Sequence, residues 1–309
     1  MELHRTSGRW QRGLGLACTT MLLWGSLPIA LKRVLVAMDA RTITWYRFVA
    51  SALVVGVVLA LWGRLPKLAR LGRSAWLLLV VAAVFLGGNY LAYLVALDMT
   101  TPADAQVVIQ LGPLLLGLGS LVVFRERFGR VQWTGFAILL AGLGLFFESQ
   151  LGAILGERDR YVLGNLAMVS AAAMWAVYGI AQKQLLRDLS SQEIMLCIYV
   201  GCALLFTPLA EPAAITRLGA LELGILGFCA LNTIVAYGAF AEALEHWEAS
   251  RVSAVLALTP LTTLAVTQLA AGSQALAVAG PSLPWTSLVG AAMVVSGSLL
   301  VALGAKAPA

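Results

Sequence analysis

Gly13–Lys32 reads GLGLACTTMLLWGSLPIALK, and Gly164–Lys183 reads GNLAMVSAAAMWAVYGIAQK; the two are versions of one segment. Gly13, Trp24 and Lys32 return as Gly164, Trp175 and Lys183, each at the same displacement. Farther along, Tyr90, Ala96-Leu97 and Pro113 return as Tyr237, Ala243-Leu244 and Pro260, and Gly135 and Gly142 return as Gly290 and Gly297. Landmarks in one order predict two homologous halves, residues 1–150 and 151–309. Each half carries an odd number of apolar runs, so a second half that crosses a bilayer as often as the first must sit upside down. Inverted halves around a midplane site are the architecture of a transporter.

Composition sets the class independently. Of 309 residues, 60% are hydrophobic and 12% charged, with a mean hydropathy of +0.88, whereas soluble domains carry about 25% charged residues. Hydrocarbon offers the backbone no hydrogen-bond partners, so spans of ~20 helical residues are the default. The period-2 alternation of an outer-membrane barrel is absent. The chain is predicted to be an all-α polytopic membrane protein with ten transmembrane helices in two inverted five-helix repeats. The spans expected in the first half are Arg12–Lys32, Ile43–Trp62, Ala75–Leu97, Ala103–Phe124 and Val131–Phe147. Those of the second are Tyr161–Ala181, Ile194–Leu209, Leu218–Ala241, Arg251–Ala271 and Trp285–Leu303. The longer connectors fall at Leu65–Ser74, Glu148–Arg160 and Gly272–Pro284.

Lysine and arginine placement gives an orientation. Arg64, Lys67, Arg70 and Arg73 form a run without an acid. Placing that run in the cytoplasm gathers fourteen of the 21 basic residues there, with both termini. Arg5, Arg9 and Arg12 then precede a retained first span rather than a cleaved leader. The net charge of +6 follows from this bias and lipid headgroups, so no nucleic-acid partner is implied. Cys18, Cys197, Cys202 and Cys229 fall within spans, and His4 and His246 lie outside the hydrophobic core, with no metal-ligand spacing among them. No Walker motif, nucleophile elbow or acid pair is present, so neither an enzyme nor an ATP-driven pump is expected, and no cofactor.

The pattern Gly13…Trp24-Gly25-Ser26…Lys32 is followed by Trp45-Tyr46-Arg47-Phe48, Ala96-Leu97…Pro113 and Glu126. It resembles the drug/metabolite transporter superfamily, and within it the EamA-type ten-helix exporters. The second copy, Gly164…Trp175-Ala176…Lys183 with Ala243-Leu244…Pro260, matches the same template. The aromatic content looks most like the YddG-type amino-acid exporters. The resemblance implies export of small solutes from a bacterial-type inner membrane. One departure stands out: the Phe124–Arg130 turn carries Glu126, while its counterpart Gly272–Pro284 is longer and uncharged.

A site is expected midway through the bilayer, where polar groups are otherwise disfavoured. Span three offers Asn89, Tyr90 and Tyr93, with Asn89 and Tyr93 on one helical face. Span four offers Gln106 and Gln110, and span eight Asn232 and Tyr237. Trp24 and Ser26 face Trp175 and Tyr178 under a pseudo-twofold, and Tyr46 opens span two. Aromatic faces with amide groups suit an amphipathic solute. Competing uses stay open: Trp24 and Trp175 as part of an interfacial belt, and Asn89 and Asn232 as helix-to-helix bonds. Trp45, Trp62, Trp76, Trp133 and Trp285 read as an interfacial belt.

Gly25, Gly112, Pro113 and Pro260 mark expected points of close approach and bending, the two prolines at matching places. Lys32, Lys183 and Arg47 are expected to snorkel, with substrate-carboxylate binding as the other reading. No Asp or Glu falls mid-span, which favours gradient-driven movement of neutral or zwitterionic solutes over a proton relay. The expected function is export of amino acids, aromatic and other hydrophobic ones preferred, by alternating access in a monomer or weak homodimer. The alternative is a proton-coupled multidrug or other small-metabolite exporter.

Overall fold

Runs of Leu, Val, Ala and Gly broken only at capping residues leave the backbone one way to satisfy itself, and it coils. The computed structural model describes residues 6–100, 102–126, 128–146, 148, 159–270 and 285–303, with no strand among them. Its first-half helices are α1 (Trp10–Val34), α2 (Ala40–Leu61), α3 (Arg73–Met99), α4 (Pro102–Val108), α5 (Leu111–Val123) and α6 (Arg130–Phe146). The second half repeats the order as α7 (Asp159–Leu185), α8 (Ser191–Phe206), α9 (Ala220–His246), α10 (Ala249–Leu256), α11 (Thr259–Ala270) and α12 (Trp285–Leu303). Among the described residues, seven stretches are long and apolar enough to cross a membrane, counting Ala249–Leu269 as one. Leu111–Val123, Arg130–Leu145 and Leu288–Val301 are shorter apolar helices. Apart from Glu148, Asp159 and Arg160, the connectors expected at Glu148–Arg160 and Gly272–Pro284 lie outside the described residues.

Two helices expected to be continuous are each broken in two. Ala103–Phe124 divides into α4 and α5 around Ile109-Gln110, and Arg251–Ala271 into α10 and α11 around Ala257-Leu258. The cause is local. Pro113 and Pro260 have no N–H to return to residue i−4, and their rings crowd that carbonyl. Each proline instead occupies the first turn of a new helix, where no donor is needed. Tight three-residue turns bridge the gaps: Gly112 N–H reaches the Ile109 carbonyl at 2.8 Å, and Leu261 N–H reaches Leu258 at 3.0 Å.

Packing follows a reciprocal pattern. α1 lies along α9 as α3 lies along α7; α2 pairs with α8 and α6 with α12; α5 meets α7 as α11 meets α1. The duplicated glycines allow several close approaches in this packing. A Cβ on Gly13 would stand 2.6 Å from Trp247 Cβ, and one on Gly164 would stand 2.8 Å from Met99 Cβ. A Cβ on Gly135 would meet Leu300 Cβ at 2.6 Å. Outward, Leu22, Leu53, Val57, Leu77, Val122, Leu204 and Leu269 are exposed, an apolar rim that lipid tails cover.

α2 starts where Asp39 accepts from the backbone N–H of Arg41 at 2.9 Å and of Thr42 at 3.2 Å. Partial burial pushes this carboxyl up, but the hydrogen bonds from Thr42 and Arg41 outweigh it and hold it below its ordinary value. α8 starts in the same way with a Ser190–Glu193 capping box. Asp39→Ala is expected to lose about 1 kcal/mol of stability, read as a lowered midpoint of thermal unfolding in detergent.

Candidate functional site

Trp24 is the hub of an aromatic layer built from five helices. Its ring centroid lies 5.5 Å from Trp175 of α7 in an edge contact, 4.8 Å from Tyr237 and 5.6 Å from Phe240, both of α9. Tyr237 continues to Tyr90 of α3 at 5.4 Å, and Tyr90 to Phe48 of α2 at 4.5 Å. Such offset contacts fix ring orientation beyond plain apolar burial.

Beside this layer lies a pocket with about 630 Å³ of open space, its mouth included. Trp24, Asn89, Tyr90, Tyr93, Gln106, Gln110, Trp175 and Tyr237 line it, as does Pro113. Both helix breaks reach it, through Ile109 and Gln110 on one side and Leu256 and Thr259 on the other. Leu27 and Leu31 of α1 complete its apolar wall. Interrupted helices meeting at a cavity free backbone groups where a solute can use them.

The polar atoms are poorly matched inside the protein itself. Trp24 Nε1, Gln106 Oε1 and Gln110 Oε1 are buried without a partner, and Tyr90 OH makes no well-formed hydrogen bond. A buried unpaired donor or acceptor is disfavoured by ~1–3 kcal/mol. These four atoms belong to residues that line the pocket, where a solute could meet them. Asn89 is different: its amide donates to the Ala171 carbonyl of α7 at 2.9 Å while also facing the pocket.

Other expected site residues stand elsewhere. Asn232 donates to the Leu23 carbonyl at 2.7 Å and ties α9 to α1, outside the lining. Ser26 turns back to its own helix, bonding the Leu23 carbonyl at 2.9 Å. Tyr178 is fully buried against Met195 Sδ at 3.4 Å, and Tyr46 bonds the Pro212 carbonyl at 2.6 Å near the surface. Gly25 and Gly112 serve close approach: a Cβ on Gly25 would sit 2.5 Å from Thr262 Cβ, and one on Gly112 would sit 3.1 Å from Trp175 Cε3.

Of the three cations expected to snorkel, Lys183 and Arg47 are buried inside the bundle instead. Lys32 Nζ donates to the carbonyls of Leu97 at 2.6 Å and Thr100 at 2.9 Å, closing the end of α3. Lys183, its repeat mate, is 2% exposed and paired with Glu126. Arg47 is also 2% exposed and lines the pocket. Lys183 and Arg47 find polar and aromatic partners on other helices or turns, which hydropathy along one helix does not reveal. His246, expected outside the core, is buried at the end of α9 with Ser7 Oγ 2.8 Å from its Nδ1.

Glu126 gathers parts of both halves. Besides Lys183 of α7 it accepts from Ser120 Oγ at 2.9 Å, from Ser250 Oγ at 2.5 Å, and from the N–H groups of Ala249 at 3.0 Å and Ser250 at 3.2 Å. It therefore caps α10 from the α5–α6 turn. Phe124 lies 4.6 Å from Lys183 Nζ, ring face toward the charge.

The EamA-like transporter family matches residues 11–147 and again 162–303. An uncharacterized inner membrane transporter, YhbE of Escherichia coli K12, is 40% identical over 297 residues, covering 95% of this chain and 92% of YhbE. An aromatic amino acid exporter, YddG of Ancylobacter novellus, is 27% identical over 214 residues, covering 67% of this chain and 72% of its own. A solved crystal structure superposes with a TM-score of 0.71 at 24% identity, over 95% of this chain and 97% of the other, a likeness of fold.

Proposed function

We propose that this chain, which belongs to the EamA-like transporter family, exports amino acids with aromatic or other large apolar side chains. It is a multi-pass membrane transporter and not an enzyme, as members of that family and its similar relatives are transporters. The finer reading rests on the pocket: an aromatic layer for a ring, beside four polar atoms that await partners. The distant likeness to an aromatic amino acid exporter agrees with it.

We place the chain in a bacterial inner membrane, in keeping with the naming of YhbE as an inner membrane transporter. We read it as ten spans in two inverted halves, each with a broken fourth span. The reciprocal helix pairing and the matched breaks support that reading. Rocking of the halves about the pocket would then expose it to either side in turn. Among the described residues no carboxylate lines the pocket, which supports movement down a gradient without a proton relay.

The test is uptake of labelled phenylalanine into proteoliposomes holding the purified protein. Entry to equilibrium that unlabelled tryptophan blocks and an imposed pH gradient leaves unchanged is the expected result. Steep dependence on the pH gradient, abolished by a protonophore, would replace diffusion with coupling. Efflux of cationic dyes without amino-acid transport would replace the substrate with the multidrug alternative.

A further inference from the structure

Among the described residues, Arg47 is a buried cation with no anion beside it. It stands within α2 at 2% exposure, and its Nε donates to Thr233 Oγ1 at 2.9 Å. Its guanidinium carbon sits 4.4 Å from the centroid of the Tyr90 ring. Among the described residues its Nη groups make no hydrogen bond, and no ion pair includes it. A charge held in low dielectric without a counter-charge is strongly disfavoured, and one Thr hydroxyl with one ring face offsets only part of that. Such a residue inside a membrane bundle marks a ligand pathway more often than a packing need.

The repeat bears on whether the scaffold requires it. α2 and α8 begin on capping residues at matching places, Asp39 and Ser190. At the same displacement the counterpart of Arg47 is Ile198, fully buried. The second copy packs there without a cation, so helix packing alone does not call for one in the first. The charge breaks the symmetry of the pocket and gives it one electropositive end. Nearby, Gln106 Oε1 and Gln110 Oε1 are acceptors without donors.

Resting on the amino-acid reading above, we propose that Arg47 receives the carboxylate of the transported solute, and that the Gln106 and Gln110 carbonyls receive its ammonium. A guanidinium forks onto a carboxylate with two parallel bonds. The same charge repels lipophilic cations. The recognised class is therefore an organic carboxylate with an apolar body, zwitterionic in its best form.

The test uses wild-type protein first, in detergent, with thermal stabilisation as the readout. Its probes are phenylalanine, phenylpropionate (no amine), phenylalaninamide (no carboxylate) and phenethylamine (no carboxylate). The two carboxylates are expected to stabilise, and the amide and amine to bind roughly ten- to hundredfold more weakly than phenylalanine. Arg47→Gln is expected to weaken phenylalanine by the same factor while leaving phenylalaninamide unchanged, and Arg47→Lys to recover part of the loss.

Equal binding of phenylalanine and phenylalaninamide by the wild type would overturn the assignment, whatever the variants do. So would a loss in Arg47→Gln that is the same for both ligands. If phenylpropionate binds while no amino acid does, the amino-acid reading falls and the carboxylate site stands. Should Arg47→Gln fail to fold, the wild-type series and Arg47→Lys decide.

Discussion

Glu126→Ala is expected to destabilise the folded protein by about 3–5 kcal/mol, the loss typical of removing one partner from a buried ion pair. The variant strands Lys183 at 2% exposure, strips the cap from α10 and leaves Ser120 and Ser250 without their shared acceptor. Thermal unfolding in detergent checks the size of the effect. Glu126→Leu combined with Lys183→Met removes the charge together with its partner and should recover most of the loss, because the desolvation penalty goes with the pair. A double variant no better than Glu126→Ala would show that the cap and the serine bonds, not the ion pair, hold this junction.

The same carboxyl has a pH signature. Burial pushes its pKa up, but Lys183, together with hydrogen bonds from Lys183, Ser250 and Ser120, holds it below the ordinary glutamate value. The groups facing it come from α5, α7 and α10. A depressed folded pKa contributes stability that is complete above the unfolded value of about 4.3 and lost as pH falls through the folded one. The gap in melting temperature between the wild type and Glu126→Gln should therefore be flat near neutrality and close only in acid. A gap that changes around pH 7 would contradict this. The junction also bears on transport. It binds the α5–α6 turn of one half to α7 and α10 of the other, so the proposed rocking of the halves would stretch or release it.

How much of this could be read from the chain depends on how local each feature is. The duplicated Trp24, Trp175, Tyr90 and Tyr237 were legible because repetition marks them, and all four border the pocket. Pro113 and Pro260 announced bends, since a missing N–H acts within one turn. That each bend is a complete break depends on tight turns such as that from Gly112 to Ile109, which the packing around them selects. The expectation that Arg47 and Lys183 snorkel fails for one shared reason. Whether a cation snorkels or pairs is decided by residues remote in the chain, such as Thr233 for Arg47 and Glu126 for Lys183. Ser26 and Asn232 have the right chemistry on the right helices, yet each spends its hydrogen bond on the Leu23 carbonyl. The lone acid in Phe124–Arg130 was the visible sign that the halves are unequal there, and the contact it makes is the one the second half cannot copy.

Gly25→Val should abolish transport and lower stability by about 1–3 kcal/mol, the usual penalty for forcing extra methyl groups into a closed contact. Gly25 crosses the second helix break: a Cβ there would lie 2.5 Å from both Thr262 Cβ and Cγ2 and 3.2 Å from the Thr259 carbonyl oxygen. Thr263 Oγ1 also donates to the Gly25 carbonyl at 2.7 Å, so α1 and α11 are held together exactly where a side chain would part them. A branched residue cannot be absorbed by rotating a flexible neighbour, because the nearest atoms are the stiff β-branched stem of Thr262 and backbone. Melting temperature and phenylalanine flux, measured on the same preparation, separate the two effects. Gly25→Ala adds the Cβ alone, and Gly25→Ala with Thr262→Gly removes both the Cβ and the Cγ2 it would meet. If α1 and α11 must stay this close for the pocket to form, flux should return in the double variant in step with stability. Normal flux in Gly25→Val would mean that the crossing opens during transport and that its tightness belongs to one state alone.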